Sequence, residues 1–354
     1  MHIESLSISD FRILAQIELQ PVPGLNIIWG DNGAGKTSIL EAIFLAARGR
    51  SFRHREAGPF IRAGCKQARV VIRTLDEAGR HHILGIERGL REQRVRYDGA
   101  NLMRRSEQVR ALPVQLLTPN SHALIEGPPE LRRRYLDLGL FHVEHDYHRN
   151  YGDYQRALRQ RNAALRSQPG LARSWDPTLS AQAVLLNTAR EEYVEKLAHA
   201  AMDVLSRIAP ALSVSLDYRP GWDTGEDLVD QLAARWETDY RQGFTGIGPH
   251  RADILIRAQQ TDAAKRLSRG QQKLVVLALM FAQVSIHQAV LHSSPILLLD
   301  DLPAELDRGH RECVAIELEK SGCQTFITTV DRDSLPEGKD WRVFHVEQGG
   351  RLMG

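Results

Sequence analysis

The sequence predicts an α/β fold, in which a discontinuous head built around a mixed sheet is interrupted by an inserted α-helical lobe. Three observations support this prediction. A strand, a glycine-rich loop and an apolar helix follow one another near residue 30, helical periodicity dominates from about residue 121, and strand patterns return after about residue 242. We therefore expect residues 1–120 and 243–354 to form the head, and residues 121–242 to form the lobe.

The predicted strands of the head lie on both sides of the lobe. Apolar and alternating patterns predict strands at residues 17–19, 25–29, 70–73 and 95–97 before the lobe, and at 295–299, 325–329 and 343–346 after it. Asp98-Gly99 is typical of a tight turn between two strands. The apolar residues 38–47 predict a helix directly after the glycine-rich loop.

Two apolar stripes at helical spacing predict a helical hairpin or small bundle in the lobe. The first stripe comprises Tyr147, Tyr151, Tyr154, Leu158 and Leu165, and the second comprises Leu186, Tyr193, Leu197, Val204 and Ile208. Gln168-Pro169-Gly170 is expected to end the first helix, and Asp176-Pro177 to begin the second. We interpret both stripes as packing faces and assign none of their aromatic residues to base stacking.

Residues 30–37, Gly-Asp-Asn-Gly-Ala-Gly-Lys-Thr, match the phosphate-loop pattern G-x-x-x-x-G-K-[ST]. Because backbone N–H groups of such a loop surround the phosphates, we predict nucleotide contacts from Gly30, Asp31, Asn32, Gly33, Ala34, Gly35 and Ser38. Lys36 is predicted to reach the outer phosphates and Thr37 to bind Mg²⁺. A glycine-rich turn that matches by chance is the alternative, and the predicted strand and helix on either side argue against it.

A second apolar run, residues 295–299, ends in Asp300 and Asp301. Alone, this pattern is typical of any parallel strand that ends at a polar rim. Together with the phosphate loop it predicts the metal-binding strand, in which Asp300 holds Mg²⁺ and Asp301 orients the attacking water. Lys36, Asp300 and Asp301 are therefore the predicted catalytic residues.

The sequence Leu267-Ser268-Arg269-Gly270-Gln271-Gln272 precedes an apolar helix predicted over residues 274–284. This order resembles the signature motif of ABC-type ATPases, and Ala304-Glu305-Leu306-Asp307 resembles their D-loop. For the signature motif alone, an N-capping serine and a flexible glycine before an ordinary helix are the alternative. The resemblance implies that the head is an ABC-type P-loop ATPase head.

Motifs spread over nearly the whole chain resemble the RecF family of bacterial recombination-repair ATPases, which are related to the heads of SMC-like proteins. The motifs are ISDFR at 8–12, SFR at 51–53, LRRRYLD at 131–137, GIGPHR at 246–251 and SRGQQ at 268–272. Residues 144–241 contribute helical pattern and charge rather than motifs. His250, in the fourth motif, is a site candidate of unknown role, with a buried structural histidine as the alternative.

The resemblance implies an ATP- and Mg²⁺-dependent clamp that forms a homodimer on ATP. Ser268 and Gly270 of one protomer would contact the γ-phosphate held by the other, and Arg12 would contribute to nucleotide binding. The expected DNA partners are duplexes and junctions between single- and double-stranded DNA. Slow, DNA-stimulated ATP hydrolysis is implied, with a role in DNA replication, the SOS response, recombination and gap repair. RecO and RecR would be partners in promoting RecA loading.

Three positions depart from general ABC patterns. Asp301 stands where most ABC ATPases have glutamate, which implies slow turnover. Val330-Asp331 occupies the place expected for the H-loop histidine. For the Q-loop metal contact, Gln115 lies within a predicted strand, so we favour Asn120 in the turn after it.

The formal net charge of +2 hides clusters of arginine. Residues 149–173 contain six arginines and one acid, Arg132-Arg133-Arg134 lies upstream, and Arg91, Arg94, Arg96, Arg104 and Arg105 form another cluster. A solvated helical face is the usual explanation of such runs. Because arginine suits phosphate contacts and the resembled family acts on DNA, we predict DNA contacts from Arg132, Arg133, Arg149 and Arg156.

We expect a cytoplasmic protein without a membrane partner, because we find no signal peptide and no apolar run long enough to span a bilayer. The three cysteines are far apart, which is typical of a reducing compartment. The histidines at 81, 82, 142, 145 and 148 lack partners for a metal site, so we expect no zinc. Two other functions stay open: the nucleotide-binding subunit of a transport ATPase, and a DNA adaptor that binds ATP with negligible hydrolysis.

Overall fold

The computed structural model describes residues 1–54, 56, 58–302, 306–332 and 341–353. In chain order, the strands are β1 (His2–Phe11), β2 (Leu14–Leu19), β3 (Leu25–Trp29), β4 (Gln67–Leu75), β5 (His81–Gly89), β6 (Gln93–Tyr97), β7 (Ala100–Asn101), β8 (Val114–Leu117), β9 (Val214–Arg219), β10 (Asp253–Ala258), β11 (Thr261–Asp262), β12 (Ile296–Leu299), β13 (Thr325–Thr329), β14 (Arg342–Glu347) and β15 (Arg351–Met353). The α-helices are α1 (Lys36–Arg48), α2 (Arg105–Ala111), α3 (Ala123–Glu126), α4 (Pro129–Val143), α5 (Tyr147–Ser167), α6 (Pro169–Ala172), α7 (Asp176–Ile208), α8 (Leu228–Ala234), α9 (Trp236–Gln242), α10 (Ala263–Arg266), α11 (Arg269–Leu291) and α12 (Arg308–Ser321). Short 3₁₀ helices occupy Gly58–Phe60, Pro119–His122, Arg173–Trp175 and Pro249–Arg251.

The chain divides into two compact units, residues 1–121 with 291–354, and residues 122–290. The first boundary between the units follows residue 121, and the predicted boundary between head and lobe follows residue 120. The second boundary between the units follows residue 290, and the predicted one follows residue 242. Residues 243–290 fold with the second unit because β10 pairs with β9, from Asp253↔Arg219 to Ala258↔Val214. This division differs from the predicted head and lobe, whose functional boundaries stay a prediction.

The first unit contains an antiparallel sheet and a mixed sheet. The antiparallel sheet has the strand order β2-β1-β4-β5-β6-β7, and the mixed sheet has the order β15-β14-β3-β13-β12-β8. In the mixed sheet β3 runs parallel to β13 and β14, and β12 runs parallel to β13 and β8. The carboxyl ends of β3, β13, β12 and β8 therefore lie at one edge, where α/β folds place their ligand sites.

One hydrophobic core joins α1 to both sheets of the first unit. It includes Ile39 and Ile43 of α1, Val70 and Ile86 of the antiparallel sheet, and Phe326 of the mixed sheet. Helix α1 is apolar around most of its circumference, and a helix of that composition is stable only when it is buried on more than one side. Burial of α1 between the sheets fixes the position of the loop that precedes it.

The second unit is mostly helical and contains the three-stranded antiparallel sheet β11-β10-β9. Helices α5 and α7 pack on each other, and the stripe residues Tyr154, Leu165, Leu186 and Tyr193 are buried. The prediction that these stripes are packing faces is therefore confirmed. Helix α5 ends directly before the predicted break, and α7 begins at the predicted Asp176.

Helix α11 corrects the prediction that no apolar run is long enough to span a bilayer. By length and composition alone, this 23-residue helix is long and apolar enough to do so. In the structure, 67% of an apolar 18-residue stretch of this helix is buried. The Tyr135 hydroxyl donates to the Leu279 carbonyl at 2.7 Å, and the Gln283 amide donates to the Tyr135 carbonyl at 2.9 Å. These contacts identify α11 as a core helix of the second unit.

Candidate nucleotide-binding site

The glycine-rich loop connects β3 to α1, so the predicted order of strand, loop and helix is confirmed. Gly30 has a φ of 151°, and a Cβ atom there would lie 2.1 Å from the Val346 carbonyl oxygen. Gly35 has a φ of 117° and lies against Leu14. Both positions require glycine because side chains would clash with neighbouring strands. The loop tip, residues 31–33, is exposed.

The Lys36 side chain folds back over this loop. Its Nζ donates to the carbonyl oxygens of Gly30 at 2.7 Å and Asp31 at 2.9 Å. Burial lowers the pKa of Lys36, while the nearby carboxylates of Asp301, Asp300 and Asp31 act in the opposite direction. An ammonium group has three donors, so one is left for a phosphate oxygen after the two loop carbonyls are satisfied.

The predicted metal ligands Thr37 and Asp300 are in direct contact. The Thr37 hydroxyl donates to Asp300 Oδ1 at 2.8 Å, and the Thr328 hydroxyl donates to the same oxygen at 2.7 Å. Asp300 is only 8% exposed. A hydroxyl and a carboxylate are hard oxygen ligands of the kind that Mg²⁺ prefers, so these residues fit the predicted ion.

Asp301 lies next to this pair in a constrained conformation. Its φ is 52°, a left-handed value that is uncommon outside glycine. Its backbone N–H donates to Thr328 Oγ1 at 2.9 Å. Thr328 thus links Asp300 to Asp301, and sequence reasoning missed it. The available signal was a hydroxyl near the carboxyl end of a predicted strand, two residues before Val330, where we expected a histidine.

Asn120 lies at the same edge of the mixed sheet. It is exposed in the 3₁₀ turn after β8, and the N–H of Asp300 donates to the carbonyl of Leu117 on β8 at 2.9 Å. Gln115 lies within β8, as predicted, and the structure pairs it with Leu297. The role of Asn120 in metal binding stays a prediction.

Arg12 is held by a buried acid on α1. Its Nε and Nη2 donate to the two carboxylate oxygens of Glu41 at 2.5 and 2.7 Å, and Glu41 is fully buried. The Ser51 hydroxyl also donates to Glu41. Sequence reasoning missed Glu41 although the signal was present, since an acid inside an apolar helix requires a buried partner.

In the signature motif, Ser268 caps helix α11. The Ser268 N–H donates to Gln271 Oε1 at 3.0 Å, and the Gln271 N–H donates to Ser268 Oγ at 3.3 Å, which is a reciprocal capping box. Ser268 and Gly270 are exposed, and apart from the adjacent backbone of α11, no atom of the described residues lies within 4 Å of a Cβ built on Gly270. The cap explains the helix start, and the role of both residues toward a second protomer stays a prediction.

The predicted D-loop is described only in part. Ala304 and Glu305 lie outside the described residues, whereas Leu306 is buried. Asp307 caps α12, because its carboxylate accepts a hydrogen bond from the His310 N–H at 3.0 Å.

Two of the predicted DNA contacts point into the second unit. Arg132 donates to both carboxylate oxygens of Asp253, at 2.7 and 3.0 Å, and to the Gly127 carbonyl at 2.8 Å, and its side chain is 11% exposed. Arg133 donates to the Ala252 carbonyl at 2.7 Å, and burial lowers its pKa. The donors of Arg132 are used inside the unit and Arg133 uses one donor there, so both residues are poorly placed for phosphate contacts, and their role in DNA binding stays a prediction.

The other two predicted DNA contacts are exposed on α5. The side chains of Arg149 and Arg156 are 69% and 67% exposed, and each pairs with an aspartate three residues earlier. Residues seven positions apart lie on one face of a helix. These arginines are accessible, and their role in DNA binding stays a prediction.

His250 has a structural environment. It lies between Tyr154 and Thr245, with Nδ1 2.6 Å from the Tyr154 hydroxyl and Nε2 2.9 Å from the Thr245 carbonyl oxygen. Burial lowers the pKa of His250 to about 4. Nε2 therefore carries the proton, and the neutral ring is held on both sides. Within the described ranges, no group of three or more His, Cys, Asp or Glu side chains is placed to hold a metal ion.

Known proteins resemble this chain over its whole length. The family described as "RecF/RecN/SMC N terminal domain" matches residues 2–351. The chain is 39% identical over 360 residues to the DNA replication and repair protein RecF of Thioalkalivibrio sulfidiphilus, covering 100% of both chains. It is also 39% identical over 359 residues to RecF of Pseudomonas aeruginosa strain LESB58, covering 99% of this chain and 97% of the relative.

Solved structures show the same fold. The recombination mediator protein RecF with ATP, of the RecFOR pathway, matches with a TM-score of 0.89 at 23% identity, covering 99% of this chain and 97% of that chain. An Smc head domain from Pyrococcus furiosus, bound to the C-terminal domain of ScpA, matches with a TM-score of 0.64 at 17% identity, covering 99% and 96%. The predicted fold class, an ABC-type ATPase head with a mixed sheet and helical regions, is confirmed.

Proposed function

Since this chain belongs to the RecF family of DNA replication and repair proteins, as its motifs predicted, we propose that it binds ATP with Mg²⁺, dimerises on ATP and engages DNA. The observation that carries the proposal is the contact of Thr37 and Thr328 with Asp300 beside the phosphate loop. Two hydroxyls and a carboxylate next to a lysine-bearing loop fit a metal-bound nucleoside triphosphate.

Each residue of the site has a distinct task in this proposal. The backbone N–H groups of the loop and the start of α1 bind phosphate oxygens, and Lys36 donates to the outer phosphates. Thr37 and Asp300 hold Mg²⁺, with Asn120 as a further ligand. The bound ion neutralises charge on the phosphate oxygens. Asp301 orients the attacking water, and Thr328 positions both acids.

Dimerisation follows from the exposed signature motif. Ser268 and the N–H of Gly270 stand at the N-terminus of α11, where the helix dipole favours an anion. In the proposed dimer they contact the γ-phosphate held by the other protomer, so ATP connects the two copies. Hydrolysis removes this shared charge and opens the dimer. ATP therefore times a clamp, and slow turnover is expected.

The biological setting is proposed from the relatives. A solved relative is described as a recombination mediator in the RecFOR pathway, so RecO and RecR are the proposed partners in gap repair and recombination, and RecA loading is the proposed outcome. The proposed DNA ligands are duplexes and single-/double-strand junctions, and the compartment is the cytoplasm. Of the sequence-predicted DNA contacts, we retain Arg149 and Arg156.

An ATPase assay with and without duplex DNA, combined with sedimentation, tests the proposal. We expect slow hydrolysis that duplex DNA stimulates, and a shift from monomer to dimer on addition of ATP and Mg²⁺. Removal of Mg²⁺ with a chelator should abolish both effects. ATP binding without dimerisation or turnover would contradict the clamp and favour a DNA adaptor.

A further inference from the structure

We infer that the outward face of the antiparallel sheet, at Arg69, Arg73, Arg94 and Arg96, binds the sugar-phosphate backbone of duplex DNA. We call these four residues the basic sheet face. The inference rests on the proposed function, which supplies duplex DNA as a partner. It adds a surface on the first unit that holds this DNA.

Strand alternation places all four arginines on one side of the sheet. Val70, Ile72, Ile86 and Val95 are buried in the core, so their neighbours on β4, β5 and β6 point outward. Arg69 lies opposite Glu87, which lies opposite Arg94, and Val71, Gly85 and Arg96 are aligned in the same way. All four arginines are exposed. The arrangement is fixed by backbone pairing rather than by flexible loops.

The charge of this face is strongly positive. Glu87 is the acid between these arginines, and it pairs with Arg69 at 2.5 Å. Arg96 donates to Asn101 Oδ1 at 3.3 Å. Within the described part of the chain, the guanidinium groups of Arg73 and Arg94 have no hydrogen-bond or ion-pair partner. Like charges held close together raise the local potential, which a phosphate backbone would neutralise.

The shape of the face favours a duplex over a single strand. Val71 and Gly85 lie in a shallow groove of about 310 Å³, which Arg69, Arg94 and Arg96 also line. Arg69 and Arg73 are four residues apart on one strand, which is roughly 13 Å, close to the width of about 12 Å of the major groove. The groove residues include no aromatic side chain, so bases of a single strand find no stacking surface.

Arginine is suited to this contact. Its planar guanidinium donates two parallel hydrogen bonds to a phosphate, whereas base reading needs side chains that enter a groove. Contacts to phosphates fix position and carry no sequence information. We therefore expect the basic sheet face to bind all duplex sequences with similar affinity.

Salt-dependent binding titrations of Arg73→Gln/Arg94→Gln test the inference. Both side chains are exposed and unpaired within the described residues, so the fold should be retained. With ATP and Mg²⁺ present, the slope of log affinity against log salt should fall in magnitude by about 1.8 for a duplex, about 0.9 for each phosphate that the variant no longer neutralises. Two duplexes of unrelated sequence should give the same change, and ATP-induced dimerisation should be unchanged.

The matched control is Arg219→Gln/Arg241→Gln, which removes two exposed arginines from the second unit and should leave the slope unaltered. If wild-type protein binds duplex DNA and Arg73→Gln/Arg94→Gln shows an unchanged slope, the basic sheet face does not bind DNA. The proposed function then still stands. Absence of duplex binding by wild-type protein overturns both. The inference is also wrong if the Arg73→Gln/Arg94→Gln variant binds only single-stranded oligonucleotides more weakly, or only one of the two duplex sequences more weakly.

Discussion

Thr328 determines the geometry of both acids at the end of β12. Its hydroxyl donates to Asp300 and accepts from the Asp301 N–H, so one side chain orients the proposed metal ligand and the residue beside it. Asp300 was predictable because it ends an apolar strand after a phosphate loop. Thr328 was not, since threonine is common in strands for packing reasons, and only the pairing of β12 with β13 brings it there.

Thr328→Val tests this positioning role. Valine keeps the volume and removes both hydrogen bonds, so we expect hydrolysis to fall about tenfold or more while ATP binding changes less. The free energy of unfolding should decrease by about 1 kcal/mol, because the part-buried N–H of Asp301 loses its acceptor. Thr325→Val on the same strand is the control: its hydroxyl donates to the Cys323 carbonyl, so it should cost stability without a decrease in turnover. Equal decreases in turnover in both variants would contradict the role.

Lys36→Ala tests nucleotide binding. Removal of a charge-assisted hydrogen bond of about 1.5–3 kcal/mol should weaken ATP binding by about 10- to 150-fold. Titration with a fluorescent ATP analogue measures the change. Thermal unfolding without nucleotide should show a loss of stability of about 1–3 kcal/mol, because the buried Gly30 carbonyl loses a donor, whereas the Asp31 carbonyl lies at the exposed loop tip and becomes hydrated. Normal ATP-dependent dimerisation of this variant would contradict the site.

The arginine triplet shows where residue patterns fail. Arg132, Arg133 and Arg134 look alike in sequence, yet Arg132 pairs with Asp253 inside the second unit and Arg134 pairs with Glu130 on the surface of α4. The partner of Arg132 lies 121 positions away. A cluster of arginines in the sequence therefore identifies a basic surface only when the burial of each side chain is also known.

At the scale of elements, helix α11 shows that apolar periodicity predicts the presence of a helix but not the residue at which it begins. The apolar run predicted a helix over residues 274–284, and the structure begins it at Arg269, because Ser268 and Gln271 form a polar cap before the first apolar residue. Apolar spacing marks the buried face of a helix, while its ends depend on capping side chains. Ser268 is exposed while it makes this cap.

Ser268→Arg tests the partner contact. We expect ATP binding by the monomer to persist and ATP-induced dimers to disappear, since bulk and positive charge would enter the other protomer's site. Removal of the cap should cost about 1 kcal/mol of stability. Ser206→Arg, the same change at an exposed serine of α7, should dimerise normally. Sedimentation that still shows ATP-dependent dimers of Ser268→Arg would mean that Ser268 is a helix cap alone.

For the whole molecule, the motifs predicted the fold class, and the compact units divide the chain at a different place from the predicted head and lobe. Strand β3, which precedes the phosphate loop, and β12, which precedes Asp300, belong to one sheet, and this brings together the two motifs that were predicted to form one site. The compact units divide at residue 290 and not at 242, because residues 243–290 join the second unit through β10, which pairs with β9. Such pairing depends on contacts distant in sequence, and local periodicity does not report them.

In the proposed clamp, ATP hydrolysis sets the lifetime of the dimer, and variants of two neighbouring residues test hydrolysis and dimer lifetime separately. Asp301→Asn should retain ATP and Mg²⁺ but slow hydrolysis, so the ATP-bound dimer should persist longer after free ATP is removed. Asp300→Asn should weaken Mg²⁺ binding, because a carboxylate ligand is replaced by a neutral amide, and should reduce dimer formation together with hydrolysis. Single-turnover hydrolysis and the decay of dimer in sedimentation measure the two quantities. If Asp301→Asn hydrolyses ATP at the wild-type rate, the water is activated by another residue; if its dimer decays at the wild-type rate despite slow hydrolysis, dimer opening does not depend on hydrolysis.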